Sequence, residues 1–277
     1  MIAPFALFAA LVGTDRAFGG PGREGGSYQR IALPAARGEV GLPPVLGPPD
    51  ASRPLLVIDA GHGGHDPGAG QGATREKDLT LALARALRDE LLRRGGVRVA
   101  LTRDADRFLL LPERSGIAHR LGADLFVSIH ADSGDSPEAS GATFYTLSEK
   151  GSNQIAARMA ERENRSDVVN GVMLADQSDR VSAILLDLSQ RETQARSDQF
   201  ARLLQREAQG RITLRDEPLQ SAAFVVLKSP DMPSVLIEAG YISNSGDSAW
   251  MLSDAGRKGF AEAAARAIRA YFARQAR

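Results

Sequence analysis

Two histidines and two glutamates of this chain are of the types, and at the positions, that assemble a metal centre. His62, His130 and Glu238 each follow directly on a short apolar run, and Glu76 opens an amphipathic segment. Because the carboxyl ends of parallel strands meet at one edge of an open α/β sheet, these side chains are placed where they can converge. Two imidazoles and a carboxylate are the ligands of a catalytic zinc with an open fourth position. A second carboxylate beside that position would be a general base.

Glycine surrounds His62 in the segment from Asp59 to Gly68. A loop with so few side chains lets a metal or a substrate approach the backbone closely, and the alternative is a flexible loop that happens to contain a histidine. His65 lies in the same loop and is interpreted as an exposed residue rather than a ligand. His119 lies on a predicted helix and is interpreted as structural or exposed.

The other positions have simpler interpretations when each is taken alone. Glu76 at the start of a helix is favourable as a cap, because helix N-termini carry partial positive charge. His130 has the alternative of a buried structural histidine. Glu238 is the most informative residue, because it follows the apolar run 235–237 and a buried carboxylate costs several kcal/mol unless it is paired or bound to metal. Its position therefore requires a function or a firm partner.

The segments that must position these residues alternate between short apolar strands and helical stretches. This alternation predicts an α/β fold, a single domain with a mostly parallel twisted sheet of about six strands flanked by helices. The predicted strands are 55–61, 97–102, 124–130, 141–147, 224–227 and 234–238. The predicted helices outside the long middle stretch are 79–94, 111–121 and 253–272.

The stretch 152–219, between the fourth and fifth predicted strands, is longer than an ordinary connection in an α/β domain. Residues 152–164 and 182–209 have helical patterns, and the residues between them are polar. We interpret the stretch as a helical functional insertion. The alternative is one or two ordinary crossover helices with a loose connection.

Composition excludes several classes of protein. The chain has 277 residues with 34 basic and 34 acidic side chains, a balance that gives no reason to expect a nucleic-acid partner. It has no cysteine, which excludes disulfide frameworks, cysteine-ligated zinc and thiol catalysis. No apolar run reaches the length of a membrane span, so we expect no integral membrane segment.

The beginning of the chain has a different composition from the rest. Residues 1–19 are predicted to be a signal peptide, with an apolar stretch and a small-x-small cleavage site at residues 17–19, although no basic residue precedes Arg16. Residues 20–53 are rich in glycine and proline and are predicted to be a disordered linker. The catalytic domain is then expected to span 54–277.

Four ordered motifs give the chain a clear resemblance to a known family. They are Val57–Gly64 with Asp66-Pro67-Gly68, then Glu76–Leu81, then Ala123–Asp132, and finally Pro233–Asn244. Together they resemble the zinc-dependent N-acetylmuramoyl-L-alanine amidases, over roughly residues 54–277. The resemblance implies that His62, Glu76 and His130 are zinc ligands and that Glu238 is the catalytic glutamate. The implied substrate is the amide bond between N-acetylmuramic acid and L-alanine in peptidoglycan.

The long insertion also resembles a feature of the division-associated members of that family. In those members a helical segment covers the zinc cleft, a carboxylate of the segment can occupy the open metal position, and an activator with a LytM-type domain displaces it. The resemblance therefore implies autoinhibition, and a periplasmic or otherwise exported enzyme of cell-wall remodelling or daughter-cell separation. The inhibitory carboxylate is not determined by the sequence; the acidic candidates are Glu161, Glu163, Asp167, Asp176 and Asp179.

Two other functions remain open at this point. One is a zinc peptidase that cuts within the stem peptides of peptidoglycan, which analysis of the products distinguishes from an amidase. The other is a non-catalytic module that binds peptidoglycan. The presence of all three ligand types together with Glu238 argues against a module that has lost catalysis.

Overall fold

A computed structural model describes residues 41–134, 136, 138–169, 172–173, 183–229 and 231–275. The predicted signal peptide, the linker as far as residue 40, and the two acidic residues Asp176 and Asp179 lie outside this part of the chain. The strands are β1 (Leu55–Ala60), β2 (Gly70–Gln71), β3 (Thr74–Arg75), β4 (Arg98–Leu101), β5 (Leu125–His130), β6 (Ala142–Leu147), β7 (Val168–Val169), β8 (Val172–Met173), β9 (Leu214–Ala222) and β10 (Ser234–Glu238). The helices are α1 (Glu76–Arg94), α2 (Leu111–Leu121), α3 (Gln154–Asn164), α4 (Ala183–Ala208), α5 (Ser245–Leu252) and α6 (Asp254–Gln275).

One six-stranded sheet organises the chain, in the order β4-β1-β5-β10-β6-β9. The first four of these strands are mutually parallel, β6 runs antiparallel to β10, and β9 runs parallel to β6. The carboxyl ends of β1, β5 and β10 therefore lie at the same edge as the amino ends of β6 and β9. This edge collects residues that are far apart in sequence, and the α/β fold predicted from the alternation of elements is confirmed.

The two faces of the sheet bury different hydrophobic clusters, because successive strand side chains point to opposite faces. Ile58, Val127 and Val235 belong to the cluster that includes buried residues of α1, α4 and α6. Phe126 and Leu236 belong to the other cluster, which includes buried residues of α2 and α3. The central strands are covered on both sides, which explains why they are almost continuously apolar.

The sixth strand is not the one predicted. Phe224, Val226 and Leu227 are buried, but Val225–Leu227 form a 3₁₀ helix, and the sixth strand is β9 instead. β9 contains Pro218 and several polar residues, which the alternation pattern does not identify as a strand. Such a sequence is tolerated because β9 is an edge strand that pairs only with β6. Helix α5 was also not predicted.

Much of the predicted insertion 152–219 belongs to the core. Phe200, Leu203 and Leu204 of α4 are buried in the cluster shared with α1 and α6. Phe200 packs edge-on against Tyr271, with ring centroids 5.4 Å apart. β9 then completes the sheet. Of the described helices in this stretch, α3 is therefore the one that packs on the side of the sheet where the predicted site residues lie.

The ordered chain begins before the predicted boundary at residue 54. The backbone of Leu46 exchanges two hydrogen bonds of 2.8 and 2.9 Å with Val99, on the outer edge of β4. The last part of the predicted linker is therefore paired with the sheet rather than disordered. Within the described residues, none of the helices combines the length and the hydrophobicity needed to span a bilayer.

Candidate metal centre

The predicted site residues meet at the edge of the sheet described above. His130 and Glu238 end two adjacent parallel strands and are register partners, so their side chains project from the same face. His62 follows β1 on the other side of β5. Glu76 is the first residue of α1, whose backbone N–H bonds the carbonyl of Ala69 at 2.9 Å. All four side chains are buried.

Three of them converge with a fourth group from α3. The ligand atoms of His62, Glu76, His130 and Glu163 all lie within 4.8 Å of one another. His62 Nε2 lies 3.2 Å from Glu76 Oε2 and 3.4 Å from Glu163 Oε2. His130 Nδ1 lies 3.3 Å from Glu76 Oε1 and 2.9 Å from Glu163 Oε2. These ligand atoms approach one point from the loop after β1, the start of α1, the end of β5 and α3.

The spacing and the hydrogen bonding of these atoms fit a zinc ion. Metal–ligand bonds of about 2.0–2.1 Å in a tetrahedron give ligand–ligand distances of about 3.3 Å. His62 Nε2, His130 Nδ1 and Glu163 Oε2 are buried and have no hydrogen-bond partner among the described residues. Buried polar atoms normally have hydrogen-bond partners, so three such atoms that face one another are compatible with a site for a cation.

Neighbouring groups orient these donors. His62 Nδ1 lies 2.8 Å from Asp66 Oδ2, an arrangement that places the proton on Nδ1 and leaves the Nε2 lone pair directed into the cluster. Glu76 accepts hydrogen bonds from the backbone N–H groups of Ala69 at 2.9 Å and Ala131 at 2.8 Å. Glu76 is therefore fixed by the loop after β1 and by the loop after β5.

Among the described residues of the middle segment, Glu163 is the acidic residue that reaches the cluster. Its helix, α3, is anchored on both sides of this residue. Arg162 Nε lies 2.9 Å from Asp132 Oδ2. The Asn164 side chain donates to the Ala223 carbonyl at 2.9 Å and accepts from the Val225 N–H at 2.8 Å. Glu163 is itself 4% exposed, so water has little access to the centre from this side.

The other acidic residues of the predicted set lie elsewhere. Glu161 is exposed on α3 and pairs with Arg165 at 2.6 Å. Asp167 is buried but accepts a hydrogen bond of 2.9 Å from the Leu111 N–H at the start of α2. Its role is to cap a helix. Asp176 and Asp179 are outside the described residues.

The charges of the cluster stabilise one another in the metal-free protein. Burial lowers the pKa of His130, but the Glu163 and Glu76 carboxylates outweigh it and raise this pKa to about 10. The same two carboxylates raise the pKa of His62 well above its usual range against the effect of burial. The histidines in turn hold the pKa of Glu163 at about 2, although burial opposes this. A cation that enters the centre must therefore displace protons from the imidazoles.

The pKa of Glu238 is shifted in the opposite direction to that of Glu163. Burial raises its pKa well above the usual range, His130 opposes the rise, and the nearby carboxylates of Glu163 and Glu76 add to it. Oε2 accepts a hydrogen bond of 3.1 Å from the Asp132 N–H, and the buried Oε1 has no partner among the described residues. A carboxyl group with a raised pKa can both accept and return a proton near neutral pH.

The turn that presents His62 is strained. Among the described residues other than glycine, His62 has the one positive φ, 59°. Gly61 precedes it because a Cβ there would lie 2.5 Å from the His130 ring. Gly68 has a φ of 63°, and a Cβ there would lie 2.6 Å from both Glu76 Oε2 and the His62 ring. The glycines of this loop therefore make room for the donors, as the sequence pattern predicts.

Two buried arginines hold this turn in place. Arg114 donates to the carbonyls of Ala60 at 2.8 Å and His62 at 2.9 Å, and lies 3.1 Å from Asp59 Oδ1. Arg103 donates to the carbonyls of Ala60 at 2.9 Å and Gly61 at 2.7 Å. Both arginines are about 1% exposed. The sequence does not identify the structural role of either arginine, nor that of Asp66 in orienting His62. For Asp66 the available signal is its position four residues after His62 in the glycine-rich loop.

The two remaining histidines lie outside the cluster. His65 is exposed and packs against Phe108, with ring centroids 4.1 Å apart. His119 is 63% exposed and lies 3.4 Å from Asp231. Both positions agree with the interpretation of these residues as non-ligands.

The fold and the centre together define an α/β domain whose buried donor set is compatible with a metal ion. The family model of N-acetylmuramoyl-L-alanine amidases matches residues 56–270. The amidase AmiA of Salmonella typhimurium is 40% identical over 223 residues, which cover 80% of this chain and 77% of the relative. AmiC of Neisseria meningitidis is 36% identical over 222 residues, but this chain covers only 53% of its length.

A solved structure supports the same assignment. The structure of the amidase AmiC2 of Nostoc punctiforme matches with a TM-score of 0.59 and 30% identity, covering 81% of this chain and 99% of the other. The chain therefore belongs to the N-acetylmuramoyl-L-alanine amidase family and is a peptidoglycan amidase. The family predicted from the four motifs is confirmed.

We expect Arg114→Met to destabilise the protein by about 3–5 kcal/mol, because it leaves the buried Asp59 carboxylate unpaired. In the parent, burial raises the pKa of Asp59, but Arg114 and the hydroxyls of Thr102 and Ser128 lower it below its usual value. The stability that the ionised Asp59 contributes is therefore lost only in acid. In the variant, burial raises that pKa, so relative to the parent the free energy of unfolding should fall as pH rises between about 5 and 8. Urea unfolding in the presence of a chelator at several pH values measures both effects.

The matched control is Arg93→Met. Arg93 is 66% exposed and pairs with Glu90 on the surface of α1, so its loss should cost about 0–1 kcal/mol with no comparable change in pH dependence. An Arg114→Met variant that unfolds at the same urea concentration as the parent would contradict the role assigned to this arginine.

Proposed function

We propose that the chain is a zinc-dependent amidase that cleaves the bond between N-acetylmuramic acid and L-alanine. In this proposal His62, Glu76 and His130 hold the zinc and Glu238 is the general base. The observation that carries the proposal is the buried convergence of two unpaired imidazole nitrogens on the Glu76 carboxylate, next to a protonatable carboxyl group. The membership of the amidase family supplies the bond that is cut.

The reaction follows from what each residue can do. Bound zinc would polarise the scissile carbonyl and make water a better nucleophile. Glu238 would accept the proton of the attacking water through Oε1, the oxygen that has no partner among the described residues. It would then give this proton to the leaving nitrogen of L-alanine. The Asp132 N–H, which bonds Oε2, keeps the carboxyl group oriented through both transfers.

We further propose that the described state is autoinhibited by Glu163. A catalytic zinc needs an open position, whereas four protein ligands close the coordination sphere as in structural sites. Glu163 lies 3.4 Å from the His62 imidazole and 2.9 Å from that of His130, against 3.2 and 3.3 Å for Glu76, and would fill that position. Activity then requires Glu163 and α3 to withdraw. The contacts that must break include the Arg162–Asp132 pair, the hydrogen bonds of Asn164 and the apolar packing of Met159 and its neighbours on α3.

The biological setting is also a proposal. The similarity to AmiA and AmiC supports an exported enzyme of cell-wall remodelling or daughter-cell separation, acting in the periplasm. An activator protein, of the LytM-domain type implied by the resemblance, would displace α3. The contacts that hold α3 are few and polar at the Glu163 end, which is compatible with release by a protein partner.

We expect His62→Ala to lose zinc, because it removes one of three ligands from the catalytic set. His65→Ala is the matched control, since it changes a histidine of the same loop that is exposed and lies outside the cluster. Metal analysis of the two purified variants after loading with zinc gives the comparison. Equal zinc content in both would refute the assignment of His62.

We expect Glu238→Gln to lower hydrolysis by about 100- to 10,000-fold, because glutamine cannot carry the proton. Zinc content should not change, since Glu238 is not one of the proposed ligands. The assay is digestion of purified peptidoglycan in a Glu163→Ala background, with released fragments identified by mass spectrometry. Glu192→Gln, an exposed position on α4, is the control.

The fragments decide between the functions considered. Free peptides that begin at L-alanine would support the amidase, and fragments cut within the stem peptide would show a peptidase instead. Full activity of Glu238→Gln would remove this residue from the mechanism. A protein that binds peptidoglycan but releases no fragment in any background would be a binding module.

We expect Glu163→Ala to raise basal hydrolysis by about tenfold or more, because it opens the fourth position while zinc keeps its three other ligands. The variant should also lose zinc faster to a competing chelator, which is a measurement independent of activity. Glu161→Ala, on the exposed side of the same helix, should change neither rate. If both variants behave like the parent, Glu163 is not the inhibitory group.

A further inference from the structure

The turn that follows His62 is closed by its own backbone. The N–H of Gly63 donates to the Asp66 carbonyl at 2.9 Å, and the Asp66 N–H donates back to the Gly63 carbonyl at 3.2 Å. Gly64 and His65 therefore form the tip of a tight turn, and the Asp66 side chain is directed back at His62. The contact of 2.8 Å by which Asp66 orients the His62 ring depends on this turn keeping its shape.

Two side chains from other elements hold the tip of this turn at Gly64. Asp106 Oδ1 accepts a hydrogen bond of 2.7 Å from the Gly64 N–H, and Lys77 Nζ donates to the Gly64 carbonyl at 2.9 Å. Lys77 Nζ also donates to Asp106 Oδ2 at 2.7 Å. The two side chains and the glycine thus form a closed ring of three hydrogen bonds, which we call the Gly64 clasp.

The clasp joins the two segments that carry His62 and Glu76. Lys77 directly follows Glu76 at the start of α1, and its backbone N–H donates to the Pro67 carbonyl at 3.2 Å. Its side chain reaches from there to the tip of the turn after His62. Lys77 therefore fixes the turn relative to the start of α1, and with it the 3.2 Å between His62 Nε2 and Glu76 Oε2.

Asp106 adds support from the loop 102–110, between β4 and α2. The backbone of this loop lies directly against the turn, because a Cβ at Gly63 would lie 2.2 Å from the Arg107 carbonyl oxygen. The side chain of Asp106 is 52% exposed and that of Lys77 is 18% exposed. An ion pair with an exposed partner contributes little to global stability, so we expect the effect of the clasp to be local to the turn.

We propose that Lys77 and Asp106 are positioning residues of the metal centre, which hold Asp66 against His62 through Gly64 and thereby strengthen zinc binding. The inference rests on the proposed function, because it takes His62 as a zinc ligand. Groups that directly orient a metal-bound histidine change metal affinity by about 10- to 100-fold. Lys77 and Asp106 act one contact farther from the metal, so their effect is smaller.

The experiment measures the zinc affinity of the full chain by competition with a chelator, for the parent, Lys77→Met, Asp106→Ala and the variant with both changes. Each single change should weaken zinc binding by about 3- to 10-fold. The double variant should bind zinc about as weakly as either single variant, because opening the clasp at one residue already releases the same turn. Lys77→Arg, which can still donate to both acceptors, should restore most of the affinity.

The matched control is a second ion pair between the same helix and the same loop. Arg85 of α1 lies 2.6 Å from Asp104, and the two side chains are 45% and 53% exposed. Arg85 lies about two helical turns beyond Lys77 and so away from the clasp. Arg85→Met and Asp104→Ala should leave zinc affinity unchanged. A loss in these controls equal to that in the clasp variants would overturn the proposal, because any loosening of the loop would then suffice.

Amide hydrogen exchange of the metal-free chain gives a readout that does not involve zinc. The Gly68 N–H bonds Asp66 Oδ1 at 3.1 Å and so reports on the position of this side chain. Its exchange should be several-fold faster in Lys77→Met than in the parent or in Arg85→Met, and thermal unfolding checks that each variant is folded.

The outcomes separate this inference from the proposed function. Unchanged zinc affinity in both Lys77→Met and Asp106→Ala would overturn the inference, even if exchange at Gly68 is faster, since the clasp would then be structural only. In that case the proposed function stands, provided that His62→Ala loses zinc. If His62→Ala binds zinc as well as the parent does, the proposed ligand set fails, and this inference fails with it.

Discussion

The constraint on which the rest of the molecule depends is the tight turn that leaves β1 at Gly61 and His62. His62 adopts a left-handed conformation that is unfavourable for a residue with a side chain, at a cost of about 1–3 kcal/mol. The turn persists because Arg103 and Arg114 bind its carbonyl groups and Asp59 neutralises Arg114 below it. The polar groups of this buried network bond to one another, and buried polar networks give rigidity when their groups are satisfied in this way.

The sheet then distributes the chemistry of the enzyme along one edge. Moving from β1 to β10, the edge carries His62, His130 and Glu238. A linear order of this kind suits a substrate that lies across the strands. The reversal of direction at β6 matters, because it brings the amino ends of β6 and β9 to the edge where the parallel strands end.

The centre also balances charge in a way that links regulation to stability. Glu163 adds a carboxylate to a buried group that already contains Glu76 and Glu238, and the two imidazoles compensate it. The helix that closes the centre is therefore stabilised by the same histidines that are proposed to hold the metal. In the proposed autoinhibition, withdrawal of Glu163 would expose these histidines to solvent and to substrate at once, so opening and activation would be a single event.

The sequence by itself determined the class of fold, the family, and the placement of His62, Glu76, His130 and Glu238 at the ends or beginnings of elements. The fold class and these placements follow from hydrophobic periodicity and glycine spacing, which are local signals that a chain carries without its tertiary contacts. The family follows from the resemblance of the four ordered motifs. Only the tertiary structure placed Glu163, and not Glu161 or Asp167, beside the histidines, replaced residues 224–227 by β9 as the sixth strand, and brought Arg103 and Arg114 to the turn. These contacts join residues far apart in the chain, such as Arg114 and Asp59, which are separated by 55 positions. Their pairing depends on strand register and on helix packing, and neither is written in the type or the spacing of any single residue.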